Sequence, residues 1–286
     1  MTLVKIDLEK LTNQDRDELE KMRIAMTSVG FFKLINFGLS NDVRAAFEAK
    51  TKEFFHADES VKKNVELVYD PVKPFRGYFG SGVEKNAVTG APNVKETLAW
   101  GPMGRKRTLY HGPNKVPAIA DFESSLNEYC TDMARIGLAL IDAFEVAFQL
   151  DGLRQKFAAD PSWLLMCVSY PPTPAGGVGV GEHTDIGFLT ILHQDQVGGL
   201  EVQTTDGTWL EVEPEADTLV VNIGDMMANF SSQRVKATVH RVFNAANCER
   251  FSWPFFFDPT WEAPIYNDSD NTYGEYATES LNSYYL

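Results

Sequence analysis

The sequence predicts a mainly β, α+β protein: a sandwich or jelly-roll core in the second half of the chain, braced by N-terminal helices and one long helix. Three observations carry this. From Trp163 onward, short β-rich runs recur at regular intervals between Pro and Gly turns, the pattern of an antiparallel sandwich or barrel. Before them, Phe122, Leu126, Cys130, Met133, Ile136, Leu140, Phe144 and Phe148 recur at steps of three and four residues, which marks a helix with one buried stripe. The N-terminal stretch alternates strand and helix signals. Residues 1–118 therefore read as a strand and helix region with a substrate-facing loop, and residues 119–286 as the long helix plus the β-core. No linker divides them, so one structural unit is expected.

In chain order, Val4 to Leu8 is a short strand, and Gln14 to Thr27 an acidic amphipathic helix that Gly30 stops. Phe31 to Asn36 is a β-type run ending near Gly38, and Ser40-Asn41-Asp42 offers caps for a helix carrying Val43, Phe47, Phe54 and Phe55. From Asp70 to Pro117 the periodicity dissolves, with Gly77-Tyr78-Phe79-Gly80-Ser81-Gly82 and Gly90-Ala91-Pro92-Asn93 as turn-rich pieces. A loop of this length is expected to be functional or mobile. The helix of Ala118 to Leu150 follows. The later strands are Trp163–Tyr170, Phe188–His193, Leu200–Gln203, Thr208–Val212, Thr218–Asn222, Ala237–Phe243 and Phe251–Phe257, with Asp206-Gly207 as a hairpin turn.

Composition narrows the partners. The 286 residues carry a formal net charge of −14, which repels nucleic-acid backbones and anionic membranes, since both are bound by Lys and Arg that displace counterions. Cys130, Cys167 and Cys248 are odd in number and widely spaced, which fits neither a disulfide framework nor a Cys-x-x-Cys metal site. No apolar leader segment or long apolar run is visible. The expectation is a cytoplasmic monomer acting on a small molecule.

The chemistry-bearing residues cluster around Gly181-Glu182-His183-Thr184-Asp185. On an extended strand, His183 and Asp185 leave from the same face. They follow the Gly176–Gly181 loop and precede the apolar run Phe188–Leu192, a place near a barrel mouth where rigid walls can hold ligands beside an open end. His-x-Asp arises by chance in about a third of chains of this composition, so the weight falls on its partners. His240 lies 55 residues after Asp185 within a β-run. Two histidines and a carboxylate form the facial set that holds Fe(II) while leaving positions open for substrate and dioxygen. Ten residues further, Arg250 and Ser252 share one strand face; a guanidinium with a neighbouring hydroxyl suits the far carboxylate of 2-oxoglutarate. His193, ten residues after His183, would lie about 33 Å away along a continuous strand and is read as a structural histidine.

Over nearly its whole length the sequence resembles the isopenicillin N synthase-like family of Fe(II)/2-oxoglutarate-dependent dioxygenases. The resemblance rests on Gly30-Phe31-Phe32 with Asn36-Phe37-Gly38, Gly77-Tyr78, Tyr170-Pro171-Pro172, the run from His183 through Thr190-Ile191-Leu192-His193-Gln194-Asp195 to Gly198-Gly199-Leu200, Val221-Asn222-Ile223-Gly224-Asp225, His240-Arg241-Val242, and Arg250-x-Ser252 before Pro254-Phe255-Phe256. It implies a double-stranded β-helix core and Fe(II) held by the catalytic set His183, Asp185 and His240. It also implies 2-oxoglutarate bound by Arg250, Ser252 and Tyr170, with O2 as co-substrate and ascorbate as a stimulant. Two positions depart from the family pattern: Val168 stands where an asparagine is usual, and Phe37 replaces a histidine.

The implied reaction oxidises an unactivated C–H bond of a small specialised metabolite by hydroxylation, desaturation or oxidative cyclisation, releasing succinate and CO2. Two other readings stay open from sequence: an Fe(II) oxidase of the same fold that does not consume 2-oxoglutarate, and a non-catalytic jelly-roll binding protein. The pocket is expected to be lined by Phe188, Leu192, the loop of residues 70–117 and the tail from Trp261 to Leu286. Within that tail, Tyr266, Tyr273, Tyr276, Tyr284 and Tyr285 offer a lid. The loop's Lys73, Arg76, Lys85, Lys95, Arg105, Lys106 and Arg107 read mostly as a solvated face, with some available to a carboxylated substrate.

Overall fold

Acidic caps start the first helices. In a computed structural model that describes residues 2–84, 90, 92–173, 177–244, 248–265 and 271–285, strand β1 (Lys5–Asp7) leads into α1 (Leu8–Thr12) and α2 (Arg16–Ser28). Asp7 and Asp15 each accept a backbone N–H of the following first turn, which satisfies donors that a helix start leaves orphaned. β2 (Phe31–Ile35) pairs parallel with β1, and α3 (Asn41–Phe55), capped by Ser40, and α4 (Glu59–Lys63) follow.

Two short strands, β3 (Gly77–Phe79) and β4 (Glu96–Trp100), precede the long helix α5 (Phe122–Phe148). The helix ends on Gln149, in a left-handed conformation that donates its N–H back to Glu145 and Val146. A short 3-10 turn (Arg154–Phe157) leads to the β-core: β5 (Pro161–Tyr170), β6 (Gly177–His183), β7 (Leu189–Gln194), β8 (Leu200–Gln203), β9 (Trp209–Glu211), β10 (Leu219–Ile223), α6 (Asp225–Phe230), β11 (His240–Asn244), β12 (Arg250–Thr260) and α7 (Tyr273–Tyr285).

The strands form two sheets, one in the order β1-β2-β10-β7-β12-β5-β4-β3 and the other β6-β11-β8-β9. The helices cover one face of the large sheet. Leu126, Met133, Ile136, Leu140 and Phe144 of α5 join Phe255 and Phe257 of β12 in the main apolar core. The opposite face meets the small sheet. There Phe31, Val168, Tyr170 and Val220 pack with Leu200, Val202 and Val242 in a second, smaller core. This sandwich of two mainly antiparallel sheets is the double-stranded β-helix expected.

Several local expectations are corrected. The stretch read as loop contains β3 and β4, which extend the large sheet past β5; Leu98, Ala99 and Trp100 are all buried, so no apolar–polar alternation reveals the strand. The glycine-rich run before His183 is strand β6. The strand read from Ala237 starts at His240, because Lys236 N–H and Thr238 Oγ1 are drawn off to the carbonyls of Met26 and Val29 at the end of α2. Gly224-Asp225 opens α6, and the tail contains α7. Of the residues singled out from sequence, Lys85, Ala91, Gly176 and Tyr266 lie outside the described residues, as do the side chains of Tyr284 and Tyr285.

Candidate metal and co-substrate site

The register of the small sheet pairs His183 with His240 across β6 and β11. One histidine closes its strand and the other opens the neighbour, so both imidazoles emerge at the same end, with ring centroids 4.2 Å apart. After His183 the chain turns and brings Asp185 back. Its Oδ1 lies 3.8 Å from His183 Nε2 and 3.6 Å from His240 Nε2. One donor atom from each residue falls within 4.8 Å of the others, a spacing that a single metal ion can bridge.

Hydrogen bonds decide which atoms are left to face that point. Nδ1–H of His183 donates to Gly181 O at 2.8 Å, and Nδ1–H of His240 to Thr238 O at 3.1 Å. This assigns both lone pairs to Nε2. Asp185 Oδ2 accepts from Thr190 Oγ1 at 2.6 Å and Asn222 Nδ2 at 2.7 Å, which turns Oδ1 toward the imidazoles. Below the turn, α6 contributes the Asp225 N–H to Asp185 O at 2.8 Å, and Thr184 Oγ1 bonds Asp225 Oδ2 at 2.9 Å.

Burial, helped by the neighbouring His240, pushes the His183 imidazole down to about 4, so it stays a neutral ligand at physiological pH. Burial works to raise Asp185, but the imidazoles of His240 and His183 and the hydrogen bonds from Thr190 and Asn222 outweigh it and hold the carboxyl below its ordinary value. Nitrogen, nitrogen and carboxylate oxygen on one side of a point are the donor set for non-haem Fe(II).

A second set of groups lines the space between the sheets. Arg250 opens β12 opposite Tyr170 of β5, and its guanidinium lies 4.8 Å over the Tyr170 ring. Nε donates to Gly198 O at 2.6 Å and Nη2 reaches Gln194 Oε1 at 3.4 Å, while Nη1 is buried without a hydrogen-bond partner. A buried guanidinium nitrogen with nothing to donate to is costly, and a ligand carboxylate would complete it. Ser252, two residues along the same strand, is also buried. Gly179 on β6 permits this packing: a Cβ there would stand 2.8 Å from the Tyr170 ring. Tyr170 thus bridges the strand that ends in His183 to Arg250.

The family model described as the 2OG-Fe(II) oxygenase superfamily matches residues 160–259, and a non-haem dioxygenase N-terminal model, described from morphine synthesis, matches residues 4–119. A 2-oxoglutarate-dependent dioxygenase of Monascus ruber is 31% identical, over 85% of this chain and 79% of its own. The chain belongs to the Fe(II)/2-oxoglutarate oxygenase superfamily. Another relative of the oxygenase is a homoarginine-6-hydroxylase of Arabidopsis thaliana, 30% identical over 86% of this chain and 78% of its own. Among solved structures, a full-length Neurospora crassa protein in complex with alpha-ketoglutarate superimposes with a TM-score of 0.82 at 26% identity, covering 98% of this chain and 96% of that one. A second, crystallised in complex with 2OG, Fe and JA, gives 0.78 at 26% identity, covering 93% and 77%. The protein is accordingly an oxidoreductase that uses Fe(II) and 2-oxoglutarate.

Beside the triad the oxygenase holds a cavity of about 200 Å³, lined by Leu164, Met166, Val180 and Phe256 of the sheets, Asn93 and Lys95 from the segment before β4, and Tyr273, Ala277, Ser280 and Leu281 of α7. The tail expected as a lid therefore supplies one wall. Of the two pocket residues expected from the strands, Phe188 is packed against Phe157 and Phe230 and Leu192 against the inter-sheet core; neither lines the cavity. Among the described basic residues of the 70–117 segment only Lys95 reaches it, paired there with Glu84. Lys73 and Lys106 make exposed ion pairs, and Arg76 is buried on the carbonyls of Phe75 and Tyr110. His193 is a core residue, 3.3 Å from Glu48 and tilted against the Trp253 ring at 4.7 Å between centroids. Val168 sits in the inter-sheet core and Phe37 in the main core. Thr190, Asn222 and Asp225 were visible in the sequence as motif members without a role; their polar character inside apolar strand signals is what could have flagged them.

No helix among the described residues is long and apolar enough to cross a membrane.

Proposed function

We propose that the protein hydroxylates an unactivated C–H bond of a small metabolite, with His183, Asp185 and His240 as the iron ligands and Arg250, Ser252 and Tyr170 as the 2-oxoglutarate contacts. The observation that carries the reading is the convergence of three donor atoms whose other polar atoms are already hydrogen-bonded. Bound iron supplies the redox centre at which dioxygen and 2-oxoglutarate become succinate and CO2 while one oxygen atom enters the substrate.

The chain's own residues do the rest. Gly181 and Thr238 carbonyls hold the imidazoles in the metal-binding tautomer, and Thr190 with Asn222 aims Asp185. Arg250 Nη1 and the Ser252 hydroxyl receive the distal carboxylate of the co-substrate, with the Tyr170 ring against the guanidinium. The α7 wall excludes water from the substrate carbon. Relatives and neighbours bear names or ligands as different as homoarginine, gibberellin and thymine, which supports a small organic substrate.

Succinate formation from 2-oxoglutarate, followed over a panel of small metabolites with added Fe(II), tests the proposal. Turnover that requires both Fe(II) and 2-oxoglutarate and yields a hydroxylated product is expected; oxygen uptake indifferent to 2-oxoglutarate would contradict it.

A further inference from the structure

Among the described residues, one carboxylate in the cavity has no cationic side chain paired with it. Asp258, on β12, lines the cavity and is buried. Its Oδ1 accepts the Phe188 N–H at 2.7 Å and its Oδ2 accepts the Tyr273 hydroxyl at 2.8 Å. The other acidic side chains around the cavity are provided for. Glu84 pairs with Lys95, Glu182 pairs with Arg241, and Asp185 belongs to the triad, where a metal ion would answer its charge. Among the described residues, Asp258 makes no ion pair.

Its place is built rather than incidental. A Cβ on Gly187 would lie 2.3 Å from Asp258 Oδ1 and 2.9 Å from Cγ, so the turn that carries Asp185 closes onto this carboxyl only because residue 187 has no side chain. A group held at Asp258 therefore lies next to the metal-ligand turn. Two hydrogen bonds use half of a carboxylate's acceptor capacity, and a buried charge without a partner is expensive. In keeping with this, burial pushes the Asp258 carboxyl up to about 7. Leu164, Met166, Ile186 and Phe256 give the cavity apolar walls, and its lysine, Lys95, is taken up by Glu84.

We propose that the cavity binds a substrate bearing an organic cation, an ammonium or guanidinium group, which pairs with Asp258 while its aliphatic part lies along the apolar wall. The proposal rests on the oxygenase reading of the cavity but is tested apart from it. Tyr273 then does double service: its hydroxyl orients the carboxylate, and its backbone belongs to α7, so the same bond ties the wall helix to the recognition site.

The test is anaerobic calorimetric titration of the Fe(II)-loaded protein with three probes of similar size: butylguanidinium, its neutral isostere butylurea, and pentanoate. Wild type is expected to bind butylguanidinium at least about tenfold more tightly than butylurea, the scale of one charge-assisted hydrogen-bonded pair, and pentanoate least. Asp258→Asn, near-isosteric, is expected to erase the preference while binding butylurea within about twofold of wild type. Tyr273→Phe keeps the charge and frees one acceptor, so it retains or enlarges the preference, and it serves if the asparagine variant does not fold. Equal or undetectable binding of the cation by wild type, or a preference that survives Asp258→Asn, overturns the proposal. Succinate assays run in parallel separate the two readings: loss of 2-oxoglutarate turnover with the cation preference intact removes the oxygenase mechanism alone.

Discussion

Asp185 divides its two oxygens between two tasks. Oδ2 is held by Thr190 and Asn222, and Oδ1 is left facing the two imidazoles. Groups that orient a ligand are worth roughly 10- to 100-fold in metal affinity. Asn222→Ala and Thr190→Val are therefore each expected to weaken Fe(II) binding by about that factor in anaerobic titration, with thermal unfolding used to confirm the fold. Affinity equal to wild type would show that Asp185 needs no orienting partners. Arg250 makes the complementary case. Its unpartnered Nη1 predicts that Arg250→Met raises the half-saturating concentration of 2-oxoglutarate by about 100-fold or more, the cost of a lost charge-assisted pair, and leaves Fe(II) affinity in place. Arg250→Lys recovers only part of this, because an ammonium cannot replace the planar fork already anchored on Gly198 and Gln194. Arg250 and Ser252 were legible together because side chains two apart on a strand share a face, as these do on β12. Asp185, by contrast, lies past the end of β6 and reaches His183 by a turn, not along a strand face. The hydrogen bonds that select Nε2 and Oδ1 were not legible, since they run to backbone carbonyls and to strands far away in sequence.

The same division holds for whole elements. Helix α5 was readable from its stripe, and the hairpin β8–β9 from Asp206-Gly207. Strands β4 and β6 were not: β4 is buried on both sides, and β6 is interrupted by glycines, of which Gly179 makes room for the Tyr170 ring. Helix α7 carried a signal that went unread. Thr272 and Glu275 form a capping box, each side chain bonded to the other's backbone N–H, and Tyr273, Ala277 and Leu281 repeat at four-residue steps on its buried side. Between α3 and β7 the contact of Glu48 with His193 makes a prediction about acid stability. Burial tends to raise Glu48, but His193 and Lys52 bring its carboxyl down to about 2; burial lowers His193, against the pull of Glu48. Both groups are thus depressed in the folded state. Each contributes stability above its ordinary value that is lost as pH falls, His193 from about 6.5 downward and Glu48 between about 4.5 and about 2. The melting temperature of wild type should decline through this range, and that of Glu48→Gln should decline less steeply below pH 4.5. Superimposable profiles would remove the pair from the account.

Across the whole molecule, the large sheet has two duties. One face carries the main core with the helices, and the other, with the small sheet, encloses the apolar space in which Tyr170 and Arg250 stand. The triad sits where β6 ends and β11 begins, and α7 folds against the cavity beside it. Removing residues 273–286 is expected to leave Fe(II) affinity near that of the full chain, because α7 contributes none of the triad or its orienting groups. The same truncation should weaken substrate binding, because it deletes Tyr273, Ala277, Ser280 and Leu281 from the wall; Fe(II) titration and substrate saturation curves read the two effects separately. The central claim, that His183, Asp185 and His240 hold the iron at which 2-oxoglutarate is consumed, is tested most directly by measuring succinate produced from 2-oxoglutarate by wild type and Asp185→Ala under air with saturating Fe(II). Succinate from wild type in step with product, and none above background from the variant, is the expected result. Equal succinate from both proteins, or oxygen uptake by wild type without 2-oxoglutarate, would contradict it.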